Sequence, residues 1–246
     1  MTSGKARIAR GALVALAAGG AAFAAEKARH AHAHTHMTPL WADSIVTHVP
    51  HVKGSINLDG DTDDSGWRGP VLRTGSFVGA DGVTPVHPVS QARIVWGDDF
   101  LYLNLYAADE DILAVSKGPD SLSPNEDFFH VELKDETTER TFDVNPMGIV
   151  TDAIRPRRGG APPDRSWESH VHVSHELDGT VNKPSDNDEE WVLEMAIPFS
   201  SLGLTGAPGE RLGISMRRCD TPHHGARVCG SWGEVGKPRE LVLDAP

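Results

Sequence analysis

The chain has 246 residues and a formal net charge of −12, from 35 acidic and 23 basic side chains. That balance argues against a nucleic-acid binder, because phosphates are met by Lys and Arg, and it suits neutral ligands and cations. The length allows one large β domain or two small ones.

The N-terminus comes first. Lys5, Arg7 and Arg10 make a basic start, Gly11 to Ala22 is uncharged, and Ala22-Phe23-Ala24 supplies a small-x-small cleavage pattern. Together they predict a signal peptide over residues 1–24, cleaved near Ala24, and a periplasmic or secreted product. The apolar run falls short of the ~20 residues that span a bilayer. No Cys follows it to carry a lipid, and no later segment is long or apolar enough to cross a membrane. Residues 25–54 read as a leader or linker. His30, His32, His34 and His36 alternate in it, and His48 and His51 follow. Alternating histidines can capture zinc, copper or nickel; a biased, solvated linker is the other reading.

From Ile56 onward, short runs of period two are separated by Gly, Pro, Asp and Asn. Residues 92–96 and 101–107 flank Gly97-Asp98-Asp99-Phe100, which is a hairpin signature. Further runs cover 128–134, 140–144, 148–154, 170–173, 191–197, 211–218 and 240–243, while only 63–67 and 200–203 suggest helical turns. The pattern predicts an all-β fold, an antiparallel, jelly-roll-like β-sandwich with short helical turns, as one domain over 55–246. The period also predicts inward faces: Leu101, Leu103 and Leu105; Phe129, Val131 and Leu133; Leu193, Met195 and Ile197; Leu212, Ile214 and Met216. Cys219 and Cys229 read as a disulfide closing a hairpin loop in an oxidising compartment. Half of a metal site is the weaker alternative, since a C-x-x-C spacing is missing.

Several blocks now line up. Leu58-Asp-Gly-Asp-Thr-Asp-Asp-Ser-Gly-Trp67, Trp96-Gly-Asp-Asp-Phe-Leu-Tyr102 and Asp109-Glu-Asp-Ile112 are followed by Asn125-Glu-Asp-Phe-Phe-His-Val-Glu132. Phe142-Asp-Val-Asn-Pro-Met-Gly148, Asp178-Gly-Thr-Val-Asn182 and Trp191-Val-Leu-Glu-Met-Ala-Ile-Pro198 complete the order. The chain resembles family 9 carbohydrate-binding modules in these blocks, over roughly residues 55–245. The resemblance implies a sandwich that binds sugars at chain ends, with structural calcium and an associated glycoside hydrolase. The sequence shows no catalytic domain of its own, so a separate glycoside hydrolase is the expected partner. Relatives of the same sandwich bind haem in periplasmic redox complexes, which is the alternative function.

Sugar recognition takes a flat aromatic surface and planar polar groups. Tyr102 and Tyr106 flank Asn104 on one outward strand face, and Arg217, Glu132 and Glu194 converge with them if their strands are neighbours. A salt-bridged face packed under a loop is the competing reading. Trp167 and Trp232 sit on loops and are placed to clamp a sugar, the arrangement the resemblance implies, or else to pack. Asp59, Asp61, Asp63 and Asp64 form an oxygen-rich loop of the kind calcium prefers; the same residues suit a turn and an N-cap. Asp109, Asp111 and Asp127 make a second such cluster.

No G-x-S-x-G, H-E-x-x-H, Walker loop or G-x-G-x-x-G is present. Glu132 and Glu194 are the one carboxylate pair on a plausible common face, and a retaining glycosidase needs such a pair ~5 Å apart in a cleft. The reading is therefore binding rather than catalysis: an exported carbohydrate-binding protein, assisting carbohydrate breakdown. The haem alternative needs axial ligands, for which Met147, Met195, Met216 and His130 are candidates, and it lacks a C-x-x-C-H motif.

Overall fold

Alternation along the chain becomes two sheets packed face to face. A computed structural model describes residues 44–97, 99–233 and 238–246, all within one compact unit. The expected signal peptide and the histidines at 30–36 lie outside the described residues. The strands are β1 (Val46–Val49), β2 (Leu72–Arg73), β3 (Ser90–Trp96), β4 (Phe100–Ala108), β5 (Phe128–Lys134) and β6 (Thr138–Val144). They continue with β7 (Val150–Pro156), β8 (His172–Asp178), β9 (Glu190–Pro198), β10 (Arg211–Asp220), β11 (Val228–Trp232) and β12 (Arg239–Leu243). Among the described residues the helices are two single turns, α1 (Ser65–Arg68) and α2 (Phe199–Leu202), and neither is long enough to cross a membrane.

One sheet has seven strands in the order β1-β12-β10-β5-β6-β7, with β11 also on β10; the other has five, β2-β3-β4-β9-β8. β1 runs parallel to β12 and the remaining pairs are antiparallel. This is the expected all-β sandwich. The twelve residues predicted to face inward are at most 2 % exposed, so each strand face was assigned correctly. Burying each such side chain contributes roughly 1.5–3 kcal/mol.

Three strands lie where the sequence offers little pattern. β1 falls inside the segment read as leader: its short VTHV run pairs with β12, and His51 then bridges to Trp96. β2 is two residues long, and β11 carries no apolar alternation because it includes Cys229, Gly230 and Ser231. Cys219 and Cys229 are register partners across β10 and β11 and form the expected disulfide.

Candidate functional site

The outer face of the seven-stranded sheet carries polar rows. Register places Arg217, His130, Asp143 and Thr151 side by side across β10, β5, β6 and β7. The next row is Ser215, Glu132, Thr141 and Ala153, and the third contains Lys134, Glu139 and Arg155. The Pro/Gly loop after β7 folds back, with Asp164 and Ile154 exchanging backbone hydrogen bonds of 2.8 and 3.1 Å. A pocket of about 230 Å³ results, lined by His130, Glu132, Glu139, Thr141, Arg155 and Pro163 among others.

Its ionisable groups are each held by a neighbour. Lys134 Nζ lies 2.5 Å from Glu132 Oε1, which also accepts from Ser215 Oγ at 3.2 Å. Arg155 pairs with Glu139. His130 Nδ1 meets Asp143 Oδ1 at 2.6 Å. With Nδ1 donating to that carboxylate, the neutral imidazole keeps Nε2 as an acceptor. Such fixed, planar groups form directional hydrogen bonds with little ordering cost on binding.

The sequence candidates divide between the two sheets. Glu132 and Arg217 lie on this outer face. Tyr102, Asn104 and Glu194 lie on the outer face of the five-stranded sheet, where Asn104 opposes Glu194 directly, and Tyr106 is beside them. The sandwich core separates the two sets, so they do not converge. Glu194 is fully buried under the segment before β2, accepting from Trp67 Nε1 at 2.6 Å, Gly60 N at 2.9 Å and Asp59 N at 3.2 Å. Trp167 is half-buried against the Phe142 ring, 6.1 Å between centroids. Trp232 is buried with the Arg239 guanidinium 4.7 Å above it. Trp167 lies between β7 and β8 and packs on β6, whereas Trp232 ends β11, and β10 and β5 lie between β11 and β6 in the sheet.

Tyr106 donates to Glu190, and that bond, with burial second, pushes its phenol from 10.0 up to about 12. The bond favours the neutral phenol. Its contribution is therefore full below the ordinary value and lost as pH rises through about 12. In a Tyr102→Phe background, phenolate absorbance should appear only near pH 12, and Glu190→Gln should return it toward 10.0. A titration near 10.0 in both proteins would remove the bond.

The Asp59–Asp64 loop spends its carboxylates on turns. Asp59 and Asp61 each accept the amide two residues on, both at 3.0 Å. Asp64 accepts from Asn57 N at 2.5 Å, and Asp63 lies 3.4 Å from Arg68. Elsewhere, Asp109, Asp127 and Asp220 come together from the ends of β4, β5 and β10, with carboxylate oxygens within 4.8 Å of one another. All three are buried. Arg218 Nη2 donates to Asp109 Oδ2 at 2.7 Å and to Asp220 Oδ1 at 2.8 Å, and Trp191 Nε1 donates to Asp109 Oδ2 at 2.9 Å. Asp127 accepts from Leu113 N at 2.7 Å and Thr221 N at 2.6 Å. Burial, then the neighbouring Asp109 charge, pushes the Asp127 carboxyl up to about 8. Three carboxylates around one guanidinium leave surplus negative charge on hard oxygen donors, so the triad can hold a metal ion. Asp111, grouped with Asp109 and Asp127 by sequence, instead pairs with His223 at 2.6 Å.

The haem candidates do not face one another across a cavity. Met195 and Met216 are in the packed core, His130 is on the outer sheet face, and Met147 is 39 % exposed. Glu139 and Arg155 line the pocket without having been read as ligand residues, and His130, which lines it too, was read as a haem-ligand candidate. Outward alternation on β5 to β7 carried that signal. Asp220 and Arg218, beside Cys219, carried no such local mark.

No protein-family model and no curated protein sequence matches the chain. Solved structures do. A candidate carbohydrate-binding protein from Bacteroides uniformis is 15% identical with a TM-score of 0.64, covering 82% of this chain and 100% of that one. A family 9 carbohydrate-binding module from Caldicellulosiruptor kristjanssonii in complex with cellotriose is 16% identical, TM-score 0.54, covering 82% and 94%. The module from the same organism in complex with glucose is 15% identical, TM-score 0.54, covering 81% and 97%. At these identities the likeness concerns architecture: the described residues share the β-sandwich fold of family 9 carbohydrate-binding modules.

Proposed function

We propose that the chain is an exported, non-catalytic carbohydrate-binding protein whose ligand sits on the outer face of the seven-stranded sheet. The observation that carries this reading is the pocket in which His130, Glu132, Glu139 and Arg155 are each fixed by a partner. Glu132 lines this pocket, and Arg217 stands on the same face opposite His130. The same fold holds cellotriose and glucose in the two modules described above. Glycoside hydrolysis takes an acid and a carboxylate flanking the bond, whereas both buried pocket carboxylates here are held by cations of their own. Export is supported by the basic start and Ala-rich run of the N-terminus and by the disulfide, which persists in oxidising compartments. Calcium is the ion assigned to the Asp109–Asp127–Asp220 triad, since carboxylate oxygens are its preferred ligands. A separate glycoside hydrolase is the partner that gives sugar binding a use in carbohydrate breakdown.

Calorimetry against a glycan panel tests the reading. His130→Ala and Glu132→Gln should each weaken binding by roughly tenfold, the worth of one or two good hydrogen bonds, while Tyr102→Ala on the far sheet should leave affinity unchanged. Binding lost with Tyr102→Ala and kept with His130→Ala would move the site to the five-stranded sheet. Folded protein that binds no sugar would end the proposal.

A further inference from the structure

The basic side chains of the pocket face each have an acidic partner. Lys134 holds Glu132, Arg155 holds Glu139, and His130 meets Asp143. Arg217, directly opposite His130 on β10, is the exception. Among the described residues no carboxylate lies within ion-pair distance of it, and its Nε is buried without a hydrogen-bond partner. A buried, unpaired donor costs free energy unless something binds it.

A second guanidinium stands beside it. Arg227, on the loop closed by the Cys219–Cys229 disulfide, donates from Nη1 to Pro124 O at 2.6 Å and lies 5.1 Å over the Phe128 ring. Partial burial, then the Arg217 charge, pushes the Arg227 guanidinium below its usual range. Asp127 is the carboxylate whose charge reaches Arg227, and it is already held by the Leu113 and Thr221 amides. Arg227 has no ion-pair partner among the described residues either. In a chain of net charge −12, two neighbouring guanidinium groups that repel each other and lack carboxylates are an anion site.

We propose that Arg217 and Arg227 receive the carboxylate of an acidic sugar, so that the ligand of the pocket is a uronic acid-containing glycan. This rests on the sugar-binding reading and names its substrate class. The guanidinium fork matches a planar carboxylate with two parallel N–H donors. Residues directly opposite in an antiparallel pair stand about 5 Å apart, so a ring held at His130 places a ring-borne carboxylate at Arg217. Glu132 and Glu139 do not repel it as free charges, because each faces its own cation, and Asp143 lies on β6, one strand beyond His130 from Arg217.

The test is calorimetry with trigalacturonate and triglucuronate, each against its neutral trisaccharide, at low and high salt. At least one acidic trimer should bind about tenfold or more tighter than its neutral counterpart, with the preference shrinking in high salt. In Arg217→Gln the acidic-to-neutral ratio should fall to about one, and Arg227→Gln, an exposed change with little risk to folding, should lower it in the same direction. Equal or tighter binding of the neutral trimers, or a preference that survives both substitutions, would overturn the proposal. So would a sulfated trimer binding tighter than the uronates, or sodium acetate competing as well as the uronate. If no trimer of either kind binds, the sugar reading itself fails; if only neutral trimers bind, that reading stands and the acidic class falls.

Discussion

Glu194→Ala should lower stability by about 3–5 kcal/mol, the cost of stranding several buried donors at once. The carboxylate is a clamp. It is fully buried on the outer face of the five-stranded sheet and gathers Trp67 Nε1, Gly60 N and Asp59 N onto one side chain. The segment it holds has no regular structure apart from the single turn of α1, so few other bonds compensate for its loss. Gly60 adopts φ +95°, and a Cβ there would meet the His175 carbonyl carbon at 2.6 Å, so the approach that brings its amide to Glu194 requires glycine. Glu194→Gln keeps one acceptor and should cost roughly half as much. Thermal melts read the effect directly, with an expected drop of roughly 10 °C for the alanine variant. A change below a few degrees would mean that the segment is held by packing of Trp67 alone. Either variant should leave sugar binding at the opposite sheet intact, which separates the two faces experimentally.

The same residue shows what a sequence reveals and what it withholds. Period two assigned Glu194, Asn104, Glu132 and Arg217 to outward faces, and each faces outward. Which outward face depends on pairings such as β4 with β9, set by contacts more than eighty residues apart in the chain (Asn104 with Glu194). No local pattern encodes that choice, so residues on opposite sides of the core read as one site. The inward faces were legible because burial punishes a one-residue slip on every side chain of a strand. The Asp59–Asp64 run looked equally like a cation loop and a series of turns, since both use short carboxylates at alternate positions; here the carboxylates are spent on nearby amides and on Arg68. The buried triad was half visible. Asp109 and Asp127 were grouped from sequence, while Asp220 arrives from the far end of β10 with no neighbour to announce it.

At that triad, Arg218→Met should have its largest effect in the absence of divalent cations. Among the described residues Arg218 is the guanidinium bonded to both Asp109 and Asp220, and it is 2 % exposed. Removing it leaves buried carboxylates supported by Trp191 Nε1 and a few amides, an arrangement that costs about 3–5 kcal/mol. Millimolar calcium should raise the melting temperature of the wild type, with a gain near 2.7 kcal/mol when calcium is at a hundred times its Kd. The gain should be larger in Arg218→Met, because the ion then supplies the charge that the guanidinium did, and EDTA should reverse it in both proteins. Asp127→Asn removes a carboxylate ligand and should shrink the response. A calcium-independent melt in all three proteins would instead make the cluster a self-contained ion network, with Arg218 as its cation. The two outcomes differ in sign for the pocket as well. Thr221 and the disulfide loop bearing Arg227 follow β10 directly, so an ion at Asp127 and Asp220 would stiffen the platform on which Arg227 stands. Calcium should then tighten binding of an acidic glycan even though the ion itself does not touch it.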